Sequence, residues 1–291
     1  MSMEFNYYRP GTINEAVQLK SRFGTKAIFM AGGTDEMVGL HEKHTCSFEH
    51  LISLTGIQSL NEIKEENGSL YIGATATFSE IAKSDLIKSK YAILKDAASQ
   101  VGSVQIRNVG TIGGNVCSSL PSADTSSPLL ALGAKVKIVS TRGESIQDLA
   151  GFFVAAGKNI LREDEMVAEF IIPAAEPNTG GGYYKLGRRK ALEIALLAAA
   201  VYLKLDKDKK TCLEARIALA TVAPTPLLIK EAVTELIGKS VTEETLTKAG
   251  LAAIKEASPR TSFRSDADYR KDVIPVAVKR AGLLALERAL D

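Results

Sequence analysis

The sequence predicts a chain of mixed helices and strands in two parts, and three observations carry that reading. At 291 residues the chain is long for one core and fits two domains, or three small ones. Strand-like runs such as Leu70 to Gly73 and Ala134 to Ser140 alternate with capped helix starts at Thr12 and Thr77. Ala174 to Gly182, AAEPNTGGG, has the Pro, Asn and triple glycine of a linker, and the main boundary is placed there.

In chain order, Thr12-Ile13-Asn14-Glu15 has the form of a capping box, and Ala16, Val17, Leu19 and Phe23 give the next helix an apolar side until Gly24. Ala27 to Met30 is an apolar strand leading to a glycine turn, where Thr34 or Asp35 caps a short helix through Met37 and Leu40. Phe48 to Leu54 reads as a strand. Glu62 to Glu65 and Leu70 to Gly73 form a hairpin, because Asn67-Gly68 supplies the positive-φ pair of a tight turn. Thr77-Phe78-Ser79-Glu80 is a second capping box, and a longer helix runs from about Ser89 to Val101. Ala134 to Ser140 turns at Arg142-Gly143 and returns through Ile146. Leu149 to Phe153 is an apolar patch under a loop, and Met166 to Ile172 is a strand closed by Pro173.

Past the linker, Tyr183 to Leu186 reads as a strand. Ala191 to Leu205 fits either a helix or a buried strand. Asp206 to Lys210 is a charged hairpin tip, and Cys212 to Val222 is the returning strand. Helices are expected at Ile229 to Ile237 and about Glu243 to Ala257. A last helix opens at Ser265-Asp266-Ala267-Asp268 and is bent or broken at Pro275.

Composition excludes several classes. Lys+Arg 36 against Asp+Glu 34 leaves a net charge of +2, which implies no basic face for nucleic acid. The longest apolar run, Ile194 to Leu203, falls well short of the ~20 residues a membrane helix needs, so no membrane span is expected. MSMEFNYYRP lacks the basic-then-apolar pattern of a signal peptide, and a cytoplasmic location is the expectation. Cys46, Cys117 and Cys212 are too few and too scattered for an iron–sulfur cluster, which takes about four thiolates. His41, His44 and His50, with Cys46 among them, carry zinc-ligand chemistry, but their intervals match no standard pattern; a solvated connector is the reading and no metal is assigned.

The chemistry concentrates in two glycine stretches. QIRNVGTIGGNVCSSLPSAD, from Gln105 to Asp124, holds Gly110, Gly113 and Gly114 beside Thr111 and Asn115. Glycines let backbone amides approach a ligand closely, so a phosphate can be held by N–H groups. Asp124 and Ser127 are alternative caps for a short apolar helix from Leu129 to Leu132. Ala31-Gly32-Gly33-Thr34-Asp35 is a second such stretch, behind the strand that ends in Phe29 and Met30. Two glycine turns suit a long, doubly phosphorylated cofactor. Neither is Gly-x-Gly-x-x-Gly before a long helix, so a Rossmann fold is not indicated, and Ile237-Gly238-Lys239-Ser240 lacks the earlier glycine of a P-loop. No Gly-x-Ser-x-Gly elbow exists, and no catalytic residue is assigned. Chemistry carried by a cofactor fits this absence.

Ala31 to Asp35, Thr111-Ile112-Gly113-Gly114-Asn115 with Asp124 nine residues later, and Ser262 to Arg270 together resemble one family at its own spacing. It is the FAD-binding medium subunits of molybdenum hydroxylases, of the xanthine, carbon monoxide and nicotinate dehydrogenase type. The resemblance runs over essentially the whole chain. It implies an α+β fold: a FAD-binding PCMH-type (vanillyl-alcohol oxidase-like) domain over 1–175, in subdomains of about 1–56 and 57–175. An α+β domain like the C-terminal domain of the CO-dehydrogenase flavoprotein is expected over 178–291. It implies non-covalent FAD, gripped at the pyrophosphate by the first glycine loop and Thr111 to Asn115. Phe29, Met30, Ala31, Gly32, Gly33, Thr34, Asp35, Thr111, Ile112, Gly113, Gly114, Asn115, Asp124, Val167 and Lys185 are the expected contacts.

By the same resemblance the chain is an oxidoreductase subunit that passes electrons to NAD or another acceptor. They arrive from the 2Fe–2S clusters of a small partner subunit. A large subunit carries the molybdenum cofactor, and the whole is expected as a dimer of heterotrimers. A free-standing FAD-dependent oxidoreductase of the same fold is the alternative, and a non-catalytic nucleotide-binding module is a third reading. Three basic residues stay open. Arg107 either adds positive charge near the pyrophosphate or forms an ion pair. Arg188 and Arg189 are a solvated run unless they follow Lys185 to the flavin. Ser262-Phe263-Arg264-Ser265 with Tyr269-Arg270 is either a surface for another protein or a helix cap packed on its own domain.

Overall fold

The chain is described by a computed structural model over residues 4–43, 47–189 and 191–291. It opens with β1 (Asn6–Tyr8), α1 (Ile13–Phe23), β2 (Ala27–Met30), α2 (Glu36–Lys43) and β3 (His50–Ser53). The three strands form a parallel sheet in the order β1-β3-β2, with Ala16 and Val17 of α1 buried against it. The Thr12 hydroxyl accepts from Glu15 N at 3.2 Å, but Glu15 returns to Gly11 N at 2.8 Å, so the expected box is only half made.

The second stretch holds β4 (Ile63–Glu66), β5 (Ser69–Gly73), α3 (Phe78–Lys83), α4 (Asp85–Lys90), α5 (Ala92–Ser99), α6 (Val104–Val109), α7 (Ile112–Cys117) and α8 (Ser126–Ala131). β6 (Lys135–Ser140), β7 (Gly143–Asp148), β8 (Phe153–Ala155), β9 (Lys158–Asn159) and β10 (Met166–Ile172) follow. β4-β5-β10-β6-β7 make an antiparallel sheet, and β8 pairs with β9. Asn67 and Gly68 take φ of 51° and 80°, as the tight turn between β4 and β5 requires. The single helix expected from Ser89 to Val101 is two, because Tyr91 stands between them with φ −135°; its hydroxyl is tied to the Pro173 carbonyl at 3.0 Å. The helix expected over Leu129 to Leu132 begins earlier, and neither Asp124 nor Ser127 caps it: Thr125 is its N-cap, without a side-chain bond.

The third stretch is β11 (Thr179–Leu186), β12 (Leu197–Leu205), β13 (Cys212–Ala220), β14 (Leu227–Ile229), α9 (Glu243–Ala253) and α10 (Ala267–Leu290), with an antiparallel sheet in sequential order. Its triple glycine is strand rather than linker. A Cβ on Gly180 or Gly182 would lie 2.0 Å from the carbonyl oxygen of Ala285 or Ala281, so the missing side chains let α10 lie directly on β11. The ambiguous alanine run resolves as β12. Ala198 and Ala200 face α5 and α8, while Leu197, Ala199 and Val201 face α9 and α10, and burial on both faces removes the alternation that marks most strands. The expected helix from Ile229 to Ile237 is absent. β14 pairs there with β13, and the Glu256 carboxylate holds Lys230 N and Glu231 N at 2.9 and 3.0 Å, leaving one 3₁₀ turn at Ala232–Glu235. α10 also runs on through Pro275, with buried Ile274 and Ala277 on either side and Gly250 of α9 against it. No helix among the described residues is long and apolar enough to cross a membrane.

Candidate functional site: a paired glycine-loop cleft

β2 delivers the chain to the turn at Gly32 and Gly33, and α2 begins three residues later. Gly33 has φ +66°, a conformation costly for any residue with a Cβ. Met37 N bonds Gly33 O at 2.9 Å and Gly39 N bonds Asp35 O at 3.1 Å, closing the first turn of α2. The N–H groups of Gly32, Gly33, Thr34 and Asp35 have no protein acceptor among the described residues. A run of free donors at a helix start suits an anionic or carbonyl oxygen.

The second glycine loop lies against the first. A Cβ on Gly32 would sit 2.0 Å from Val109 O, and one on Gly113 would sit 2.5 Å from Ala74 O. Both glycines therefore serve close contact between backbones. Thr111 caps α7 by accepting from Gly114 N at 3.1 Å. Ile112 N donates to Ala76 O, Gly113 N to Ala74 O and Asn115 N to Thr111 O, at 3.0, 2.8 and 3.0 Å. The amides of Ile112 to Asn115, expected at the phosphate, each bond the protein in this structure, since the loop is the first turn of a capped helix. Asn115 Oδ1 accepts from Thr125 N and Oγ1, at 3.1 and 2.6 Å, and joins α7 to the segment before α8.

Two cavities meet at Ala31, Gly32 and Thr111. One, of about 310 Å³, is lined by Phe29, Met30, Ala31 to Asp35, Thr111, Gly114 and Asn115, together with Glu36, Phe78, Val101, Ile106, Cys117 and Ser118. The other, of about 410 Å³, continues past Thr55, Asn61, Thr75, Thr77, Glu80 and Asn108. The paired cleft offers an elongated ligand apolar walls and the four free amides. Asp35 and Glu36 oppose a phosphate close to their carboxylates. Phe78, Ile106, Cys117 and Ser118 were not expected here; the sequence signals for them are the capping box that contains Phe78 and the glycine loop just before Cys117. Burial pushes the Cys117 thiol up to about 12, which removes it as a thiolate nucleophile.

Five expected contacts stand outside the cleft. Ile112 and Gly113 are buried in the packing of α7, and Val167 lies in the core on β10. Asp124 and Lys185 find each other instead. Lys185 Nζ donates to Asp124 Oδ2 at 2.8 Å and to Gln100 O at 3.0 Å, while the Tyr183 hydroxyl donates to Asp124 Oδ1 at 3.0 Å. Burial holds the Asp124 carboxyl above its ordinary value, and the Lys185 cation offsets part of that. Burial, with the Asp124 carboxylate alongside, raises the Tyr183 hydroxyl well above the usual tyrosine range. The pair ties α8's leading segment to β11, and Lys185 lines a separate cavity of about 490 Å³ with Gln100, Tyr184, Arg188, Arg189 and Glu193.

Other open readings settle locally. Arg107 donates to Val101 O at 2.9 Å and makes no ion pair among the described residues. His50 stacks on Phe23 at 3.8 Å, while His44 and Cys46 lie outside the described residues. Among the described residues no three His, Cys, Asp or Glu side chains gather as a metal site.

Comparison with known proteins gives the same picture across both halves. The family described as the FAD binding domain in molybdopterin dehydrogenase matches residues 3–175, and the CO dehydrogenase flavoprotein C-terminal domain matches 182–285. The xanthine dehydrogenase FAD-binding subunit of Escherichia coli O157:H7 is 30% identical over 277 residues, 94% of each chain. The carbon monoxide dehydrogenase medium chain of Hydrogenophaga pseudoflava is 32% identical over 277 residues, 95% of each chain. The solved structure of carbon monoxide dehydrogenase from that organism superposes with a TM-score of 0.93 at 32% identity, covering 99% of both chains. Quinoline 2-oxidoreductase from Pseudomonas putida 86 superposes at 0.91 with 25% identity, covering all of both chains.

Proposed function

The chain belongs to the FAD-binding subunits of the molybdenum hydroxylase family, the oxidoreductases that include xanthine and carbon monoxide dehydrogenases, and from that premise we propose that it is the electron outlet of a larger enzyme. In this reading residues 1–175 hold FAD non-covalently and 178–291 form a C-terminal domain. Electrons reach the flavin from the 2Fe–2S clusters of a small subunit, which takes them from a large molybdenum subunit. They leave to NAD or another acceptor. The assembly is a dimer of heterotrimers in the cytoplasm.

The observation that carries the reading is the row of amides from Gly32 to Asp35 with no acceptor among the described residues, beside Thr111 where two cavities meet. These donors and the Thr34 and Thr111 hydroxyls would hold the pyrophosphate, each charge-assisted bond contributing roughly 1.5–3 kcal/mol. Phe29, Met30, Phe78 and Ile106 would exclude water from an aromatic part of the cofactor lying beside them. Bound FAD supplies a centre that takes two electrons and releases them singly or together. The chain's own residues would bind and orient it. With Cys117 protonated, nothing described in the cleft is poised to form a covalent flavin bond.

Purification from the native source tests the reading. Iron, acid-labile sulfide and molybdenum should accompany the chain, and trichloroacetic acid should release all flavin to the supernatant. A native preparation that oxidised an organic substrate with flavin as sole cofactor would overturn it.

A further inference from the structure

Residues 118–124, which join α7 to α8, border the glycine cleft at one end and carry Asp124 at the other. Ser118 lines the cleft, and Asn159 Nδ2 steadies that end by donating to Cys117 O at 2.9 Å. Lys185 holds the other end through Asp124. Between these anchors, residues 120–123 receive one hydrogen bond from elsewhere in the chain among the described residues. Thr221 N donates to Pro121 O at 2.9 Å.

Thr221 makes that bond in a costly conformation. It follows β13 with φ +65°, is buried, and alone is β-branched among the described non-glycine residues at positive φ. A β-branched side chain crowds its own backbone there, so the conformation persists only where the surroundings over-determine it. Besides the bond to Pro121, the Thr221 hydroxyl donates to Leu196 O at 2.6 Å, and its carbonyl accepts from Arg270 Nη1 at 3.1 Å. Arg270, in the first turn of α10, is only 5% exposed, and no carboxylate pairs with it among the described residues. Its Nη2 donates to Ser262 Oγ at 2.9 Å, and its Nε is buried with no partner. A buried guanidinium without an anion is costly. Both of its acceptors are neutral, and the Thr221 carbonyl is the one that leads back to the cleft. A charge-assisted bond is the stronger kind with which to hold a strained peptide.

We propose that Arg270 is a positioning residue for the glycine cleft, acting through Thr221 on the middle of the 118–124 loop. The inference rests on the proposed function, because the cleft it sets is the one assigned to FAD. Without the Arg270 bond, Thr221 relaxes to negative φ and its N–H turns away from Pro121 O. Residues 120–123 are then loose between their two anchored ends, and the wall at Cys117 and Ser118 moves with them. A glycine at 221 has no Cβ and takes φ +65° at little cost, so it keeps the Pro121 bond with or without Arg270.

The test compares the tagged full chain, purified from its native host, as wild type, Arg270→Met, Arg270→Met/Thr221→Gly and Arg260→Gln. The last removes an exposed charge from the same segment between α9 and α10. The readouts are the FAD dissociation constant after flavin is removed and added back, the absorbance band of the bound flavin, and the thermal midpoint. Arg270→Met should hold FAD about tenfold more weakly, with the band of a more solvent-exposed flavin. The double variant should return to within about twofold of wild type in affinity and recover the wild-type band, because glycine needs no holding at positive φ. Arg260→Gln should match wild type. A double variant that fails as the single one does would overturn the proposal, since lost packing at position 270 would then be the cause. An Arg270→Met chain with wild-type affinity and band would overturn it equally. A wild-type chain that takes up no flavin would overturn the proposed function, and this inference with it.

Discussion

At Gly32 a single hydrogen atom decides whether two loops can touch. A Cβ there would sit 2.0 Å from Val109 O, which no rotamer can relieve because the obstacle is backbone. At Gly114 the same addition meets only Thr111 Oγ1, at 3.1 Å. Gly32→Ala should therefore lose stability by about 1–3 kcal/mol, as overpacking does. It should also purify with flavin on less than about a tenth of its chains. Gly114→Ala should unfold within about 0.5 kcal/mol of wild type. Absorbance at the flavin band and thermal unfolding measure both, and a Gly32→Ala chain with full flavin and an unchanged midpoint would remove the loop contact as the cause. Both glycine stretches stand out in the sequence, but what each glycine faces is not legible there. A run such as Thr-Ile-Gly-Gly-Asn looks the same whether its glycines admit a phosphate or a neighbouring backbone, and the backbones concerned come from distant segments: Ala74 against Gly113 and Val109 against Gly32.

At the scale of elements, what sequence predicted well was local. Asn67-Gly68 sets its own turn, and the box at Thr77 closes as expected: Thr77 Oγ1 accepts from Glu80 N at 3.2 Å while Glu80 accepts from Thr77 N at 2.7 Å. Burial alone would raise the Glu80 carboxyl, but bonds from Asn61 and Thr77 outweigh it and hold it below its ordinary value. A depressed carboxylate stabilises above its unfolded pKa of about 4.3, and that contribution is lost as pH falls through the folded value. Glu80→Gln should cost about 0.5–1 kcal/mol at pH 7, small because the group is exposed. The gap to wild type should close as urea melts are repeated toward pH 3; a gap that persists would mean that charge is not its source. What sequence missed is pairing at long range. Lys185 and Asp124 stand 61 residues apart, and each alone looked like a cofactor contact. Asp124→Asn leaves a buried lysine unmatched and should destabilise by about 3–5 kcal/mol, whereas Asp124→Leu/Lys185→Met should come within ~1 kcal/mol of wild type. If the single and double variants were equally destabilised, the pair would not be what joins β11 to the first half.

For the whole molecule, the division of the chain does not coincide with a division of its core. Ile93 and Leu94 of α5 and Leu129 and Leu130 of α8 share one buried cluster with Tyr183, Ala198, Ala200, Ala218 and Ala220 from the third sheet. Polar ties cross at the same place: Arg288 of α10 bonds Asp96 Oδ2 at 2.6 Å, and Lys185 reaches Gln100 and Asp124. Residues 1–175 would thus lose the cover of α5 and α8 if expressed alone. Asp96 would lose Arg288, and Asp124 and the Gln100 carbonyl would lose Lys185. Exposed apolar surface of that extent costs roughly 25 cal/mol per Å² and cannot be recovered within the fragment. The full chain should unfold in urea as one transition, with far-ultraviolet dichroism, tyrosine fluorescence and flavin release superimposing. The 1–175 fragment should bind the dye ANS, lack a cooperative melt and hold FAD at least tenfold more weakly, although it contains every residue lining the glycine cleft. A fragment that melted cooperatively with stoichiometric flavin would show that the cleft needs no support from the third sheet.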